Sequence, residues 1–98
     1  MKEKKTYKKL NPLLHSQLRL AVVSYLVSNG AAGFKELKSV TGATSGNLSI
    51  QLQKLKEAGY INIHKGFKNN YPHTRVEITR KGIDAFEEYV NAIKQYLK

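Results

Sequence analysis

Apolar positions recur with helical spacing across residues 11–29. Leu14, Leu18, Ala21, Val22 and Tyr25 share one face, and Leu20, Val23 and Val27 form a second line roughly opposite. A helix that is apolar on two sides needs two neighbours. Asn11-Pro12 and Ser16 are both start signals, and a short turn ahead of a main helix from Ser16 satisfies the two together. Gly30 ends this element. Residues 34–40 predict a shorter helix with Phe34, Leu37 and Val40 inward. Thr41-Gly42-Ala43 is a tight connection, and Gly42 suits a left-handed helix end. Thr44 or Ser45 caps a third helix that runs to Ala58, with Leu48, Leu52 and Leu55 inward and Gly59 as its stop.

The period then changes from helical to alternating. Residues 60–65 and 75–79 place Ile61, Ile63, Val76 and Ile78 on one side and polar residues on the other, the pattern of half-buried strands. Residues 66–74 are rich in turn formers and predict a long basic loop between them. Thr79 caps a last helix that runs nearly to Lys98. The order is helix, short helix, glycine-containing turn, helix, hairpin, helix. This is helix-turn-helix grammar followed by a β-hairpin wing. The expected fold class is α+β, mainly helical: a winged helix-turn-helix with a two-stranded wing and a C-terminal dimerisation helix.

Composition narrows the function. The 98 residues fit one domain (residues 11–98, behind a basic tail at 1–10), near the lower limit of what one core stabilises. Lys and Arg number 17 against 7 Asp and Glu, a net charge of +10, so a phosphate backbone is the expected partner. A merely well-solvated surface and an anionic membrane surface are the competing readings. There is no cysteine, which excludes disulfides, zinc–cysteine sites and thiol redox sensing. No apolar stretch is long enough for a transmembrane helix. The lysine-rich start lacks the apolar core of a signal peptide. A cytoplasmic location is expected, with no membrane partner. The tail is read as polar and mobile, with phosphate contact as the other reading.

Several segments resemble a known family. Leu13-Leu14-His15-Ser16-Gln17-Leu18-Arg19-Leu20, Thr41-Gly42-Ala43-Thr44-Ser45-Gly46-Asn47-Leu48-Ser49, Leu55-Lys56-Glu57-Ala58-Gly59-Tyr60-Ile61, Lys65-Gly66-Phe67 and Ile78-Thr79-Arg80-Lys81-Gly82 are similar, in this order, to segments of small prokaryotic winged-helix transcriptional regulators related to the MarR and ArsR groups. The resemblance implies DNA binding and a dimer. Gln51 stands where that family usually has His, and the tip Asn69-Asn70-Tyr71-Pro72-His73 is less basic than the family pattern.

The residues carry their own argument for duplex DNA. Opposite Leu48, Leu52 and Leu55 lie Gly46, Ile50 and Gln53, flanked by Asn47, Ser49 and Lys54, and no acidic residue faces out before Glu57. Asn and Gln can pair with base edges, Ser can reach bases or phosphate, Lys meets phosphate, and Ile50 can touch a thymine methyl. With Thr44 and the free amides near Ser45, these form the predicted reading helix. Lys65, Lys68, Asn69, Asn70, His73 and Arg75 are the wing candidates for backbone or minor-groove contact. Arg19 and Lys35 are candidates for flanking phosphates.

A third set predicts self-association. Ile83, Phe86, Val90, Ile93 and Leu97 follow the a/d spacing of a coiled coil, and Tyr89 and Tyr96 widen the stripe. With Leu20, Val23 and Val27 they predict a homodimer interface; the competing reading is that the last helix folds back on its own core. His15, His64 and His73 have no partner at metal-ligand spacing, so no metal or cofactor is expected. No catalytic constellation is present, so no enzyme is expected. The expected role is a sequence-specific duplex-DNA-binding transcriptional regulator, a repressor by promoter occlusion. The alternatives are a winged-helix protein-interaction module and an RNA-binding one. Operator, regulated genes and any small-molecule effector are not legible.

Overall fold

The computed structural model describes residues 7–97. The elements follow the order α1 (Gln17–Asn29), β1 (Ala31–Gly33), α2 (Phe34–Thr41), α3 (Ser45–Glu57), β2 (Ile61–Lys68), β3 (Tyr71–Ile78) and α4 (Arg80–Lys94). Four helices and an antiparallel sheet of order β1-β3-β2 form an α+β winged helix-turn-helix. Both start signals before α1 are used in sequence. Asn11 Oδ1 accepts from the Leu13 and Leu14 amides, at 2.9 and 3.3 Å, and closes a short turn. Ser16 is then the cap residue of α1, although its side chain makes no capping bond.

The core explains the two apolar sides of α1. Val22, Val23 and Leu26 are all fully buried, with Leu37 of α2, Leu48 and Leu55 of α3, Ile61 of β2 and Val76 of β3. The neighbours that α1 needs are elements of its own chain. Val23 is therefore a core residue with no surface to offer a second copy, which corrects its assignment to a dimer interface. Tyr89 is corrected likewise. It is 6% exposed, and its hydroxyl lies 2.8 Å from His15 Nδ1. Leu20, Val27, Phe86 and Ile93 also pack partly against this core.

Other differences have local causes. Val40 is 52% exposed, not inward. The short α2 turns only Leu37 fully into the core, and Val40 borders an open recess with Leu18, Ala21 and Asn47. Strand β1 is only three residues long and has no periodic signature. It exists because β3 offers it a free edge, in the register Ala31↔Glu77, Ala32↔Val76 and Gly33↔Arg75. The hairpin adds this third strand to the two that were expected.

The expected long loop at residues 66–74 is absent. The strands continue to Lys68 and from Tyr71, and only Asn69 and Asn70 turn the chain, with φ of +52° and +68°. Two consecutive left-handed residues are the signature of a type I′ turn, and asparagine tolerates that geometry. Pro72 is accommodated because it pairs with Phe67, one step from the turn-closing pair Lys68↔Tyr71. In that alternation its nitrogen points away from β2, where no ladder bond is lost.

Thr79 caps α4: its hydroxyl accepts from the Gly82 amide at 3.0 Å and donates to the Gly59 carbonyl at 2.7 Å. Helix α4 ends at Lys94, short of the expected limit near Lys98, and hydrogen-bonded turns follow to Leu97. Residues 7–10 run beside this end. Tyr7 and Tyr96 stack with ring centres 4.9 Å apart, the Tyr96 hydroxyl donates to the Lys8 carbonyl at 2.8 Å, and the Lys8 amide donates to Gln95. Leu10 packs against the core. These contacts link residues 7–10 of the expected tail to the end of α4 and to the core; Lys2, Lys4 and Lys5 lie outside the described residues.

Candidate nucleic-acid interface

Helix α3 is held by its leucines and displays most of its other residues. Leu48, Leu52 and Leu55 are at most 2% exposed, whereas Ser45, Gly46, Asn47, Ser49, Ile50, Gln53 and Lys54 are exposed. Thr44 caps it by accepting from the Asn47 amide at 3.2 Å, so the threonine resolves the choice between two cap candidates. The remaining early amides of α3 stay open at its N-terminus. Ile50 is 57% exposed at the centre of the outward face. Glu57 lies at the far end, and Gln53 Nε2 reaches back to its carboxylate at 3.4 Å.

The two flanks of α3 meet different neighbours. On one flank Ser49, Gln53 and Lys56 face Lys65 and Thr74 of the wing across an open groove of about 620 Å³, floored by Phe34, Leu52 and Ile63. Lys56 was not among the expected site residues. It adjoins the buried Leu52 and Leu55 on the helix, and only the docking of the wing shows that it lines the groove. On the other flank Gln51 Nε2 donates to Asn47 Oδ1 at 3.0 Å. Arg19 donates through Nη1 to the Gln51 amide oxygen and through Nε to the Leu13 carbonyl, the latter at 2.6 Å. Arg19 is half-buried, and two of its five donors are engaged by these protein partners. An i, i+4 polar pair such as Asn47–Gln51 is readable in a sequence; its tie to α1 is not.

The wing presents two faces that follow strand alternation. Lys65, Phe67, Pro72 and Thr74 continue the side of Ile61, Ile63, Val76 and Ile78 beyond the core. Gly66, Lys68, Tyr71, His73 and Arg75 occupy the other side. Lys65, Lys68, Asn69, Asn70, His73 and Arg75 are all exposed. Lys35 joins Lys68 and His73 around a second recess. The His73 ring packs over Gly33, where a Cβ would meet His73 Cε1 at 3.2 Å. Arg75 and His64 flank Glu77, at 4.0 and 3.2 Å. These contacts are half exposed and hold neither side chain strongly. Phe67 and Tyr71 are 79% and 74% exposed.

The predicted association surface is thinner than its residue pattern implied. Ile83 and Val90 are partly buried, and Tyr96 and Leu97 are 45% and 74% exposed, but the last two lie beyond the end of α4. The helical stripe therefore stops at Ile93. Among the described residues no helix is long and apolar enough to cross a membrane.

Comparison with known proteins agrees with this architecture. Residues 18–97 match the model of the winged helix DNA-binding domain. An uncharacterised protein of Methanocaldococcus jannaschii is 31% identical over 86 residues, covering 88% of this chain and 94% of that one. The solved structure of a transcriptional regulator homologue from Pyrococcus horikoshii superposes with a TM-score of 0.81 at 26% identity, over 87% of this chain and 84% of that one. The YusO protein of Bacillus subtilis shares the fold with a TM-score of 0.74 at 17% identity, over 90% of this chain and 58% of that one. The chain belongs to the non-enzymatic family of the winged helix DNA-binding domain.

Proposed function

We propose that this protein is a sequence-specific duplex-DNA-binding transcriptional regulator that acts as a homodimer and represses by occluding a promoter. The observation that carries the reading is the outward face of α3. It is exposed, free of acidic side chains from Ser45 to Lys56, and bordered by the groove to the wing. A helix that reads the major groove needs such a face, because a carboxylate there would meet phosphates and base acceptors. Asn47, Ser49, Ile50 and Gln53 are the base-facing set. Thr44, Ser45, Gly46 and Lys54 lie along the adjoining backbone. Lys56 and Lys65 hold phosphates on either side of the groove, and Lys68, Asn69, Asn70, His73 and Arg75 follow the wing over flanking DNA.

The homodimer rests on the half-buried Ile83 and Val90 of α4, with Phe86 and Ile93 on the same helix, Tyr96 and Leu97 beyond its end, and Leu20 and Val27 of α1. An RNA-binding reading is favoured by one observation, the exposed Phe67 and Tyr71 on the wing, since single-stranded RNA is read by aromatic stacking. Competition titration separates the two. Labelled duplex DNA bound by the protein is challenged with unlabelled duplex, single strands and structured RNA of equal length. Duplex should compete best by at least tenfold; RNA competing best would overturn the DNA reading.

A further inference from the structure

The Arg19–Gln51–Asn47 chain has a direction, and the direction matters at its exposed end. An arginine side chain carries donors only. Arg19 donates to the Leu13 carbonyl and to Gln51, so the oxygen of the Gln51 amide must face Arg19. The Gln51 nitrogen then points the other way and donates to Asn47 Oδ1 at 3.0 Å. Rotating either amide by half a turn would set donor against donor. Each orientation is thus fixed by the group before it, starting from a residue that cannot accept. At the end of the chain the Asn47 oxygen is turned back toward Gln51, and Nδ2 has no hydrogen-bond partner among the described residues, on a side chain exposed in the first turn of α3.

We propose that Arg19 and Gln51 are positioning residues that make Asn47 a hydrogen-bond donor toward DNA, so that α3 selects an acceptor edge, guanine N7/O6 or thymine O4, at the base Asn47 meets. The inference rests on α3 reading duplex DNA and adds the chemistry of one contact. A free asparagine pairs bidentately with adenine, using its oxygen on N6 and its nitrogen on N7. Here that oxygen is already engaged, which weakens the adenine pairing. Cytosine, which offers a donor at N4, is disfavoured outright. The N-terminal residues of a recognition helix are those that reach base edges, and Asn47 is the third residue of α3.

Gln51→Glu reverses the chain without removing it. One carboxylate oxygen accepts from Arg19; the other can only accept, so it calls for the Asn47 nitrogen and turns Oδ1 outward. The experiment measures relative affinities for duplexes carrying each base pair at the position where Asn47→Ala abolishes preference. Wild type should favour the acceptor base by about five- to tenfold. Gln51→Glu should move the preference to a base offering a donor, adenine or cytosine, while its charge lowers affinity for all duplexes together. Gln51→Ala frees the Asn47 amide and should move the preference to adenine, through the bidentate pairing of a free asparagine. A merely structural role for Gln51 would change overall affinity or melting and leave the ranking alone. An unchanged ranking in Gln51→Glu, or no position sensitive to Asn47→Ala, overturns the inference. Absence of salt-dependent duplex binding by wild type overturns instead the reading of α3 beneath it.

Discussion

Gly82 and Gly46 are both helical glycines, and their surroundings demand opposite outcomes on substitution. A Cβ on Gly82 would collide with the Tyr60 carbonyl oxygen and lie 2.9 Å from Ile78 Cδ1. The start of α4 can dock against the β2 end of the sheet only without a side chain there. Gly82→Ala should cost about 1–3 kcal/mol through overpacking, seen as a lower urea midpoint at unchanged slope. Around Gly46 nothing lies within 4 Å of the added Cβ. Gly46→Ala should leave stability equal or raise it by up to about 1 kcal/mol. Yet the new methyl stands on the face of α3 that approaches DNA, so the same variant should bind duplex more weakly. Loss of stability in Gly46→Ala would contradict the geometry of α3. Gln51 makes a related point at this scale. As a residue it is an ordinary polar position, and only the packing of α1 against α3 gives it a role.

Among the elements, the wing depends most on two residues. Asn70 has φ of +68°, which a β-branched side chain tolerates poorly. Asn70→Val should destabilise the turn by about 1–2 kcal/mol, and Asn70→Gly should preserve it. Hydrogen exchange of the β2 and β3 amides would report this, with core amides unaffected. If Asn70→Val leaves wing protection intact, the turn assignment fails. The long elements were legible in the sequence because burial imposes a period: Leu48, Leu52 and Leu55 mark α3, and Ile61, Ile63, Val76 and Ile78 mark the sheet. The wing tip was not, because beyond Lys65 and before Arg75 the strands leave the core and no apolar period is imposed on them. Strand β1 is too short to carry a period at all. The apolar stripe of α4 was legible, but a stripe does not say what covers it. Tyr89 and Val23 meet their own chain, which spacing alone cannot distinguish from a second copy. The α3 face was legible by elimination, as the surface left when its leucines were buried; Lys56 was missed because its partner across the groove comes from the wing.

At the scale of the whole molecule, charge and symmetry set the expectations. With a net charge of +10, binding to duplex DNA should weaken steeply with salt. If a dimer meets roughly 6 to 10 phosphates, affinity should fall about 10³- to 10⁵-fold between roughly 50 and 200 mM salt. Lys65→Ala should lower affinity for every sequence alike and reduce the salt slope by about 1. Val90 is the position to test for association, because it lies on α4 without belonging to the core that surrounds Tyr89. Val90→Glu should give a monomer by sedimentation with near wild-type helix content, and should weaken binding to a full site more than to a half-site. A wild-type monomer at tens of micromolar would contradict the dimer. The central claim, that α3 reads base pairs, is tested most directly by selecting bound duplexes from a random pool with wild type and with Gln53→Ala. Wild type should enrich an inverted repeat with half-site centres about 10 to 10.5 bp apart or a multiple of that. Gln53→Ala should relax one position in each half-site by about 1–3 kcal/mol and leave the others unchanged. No enriched sequence, or one that Gln53→Ala leaves untouched while Lys65→Ala alters it, would contradict the account.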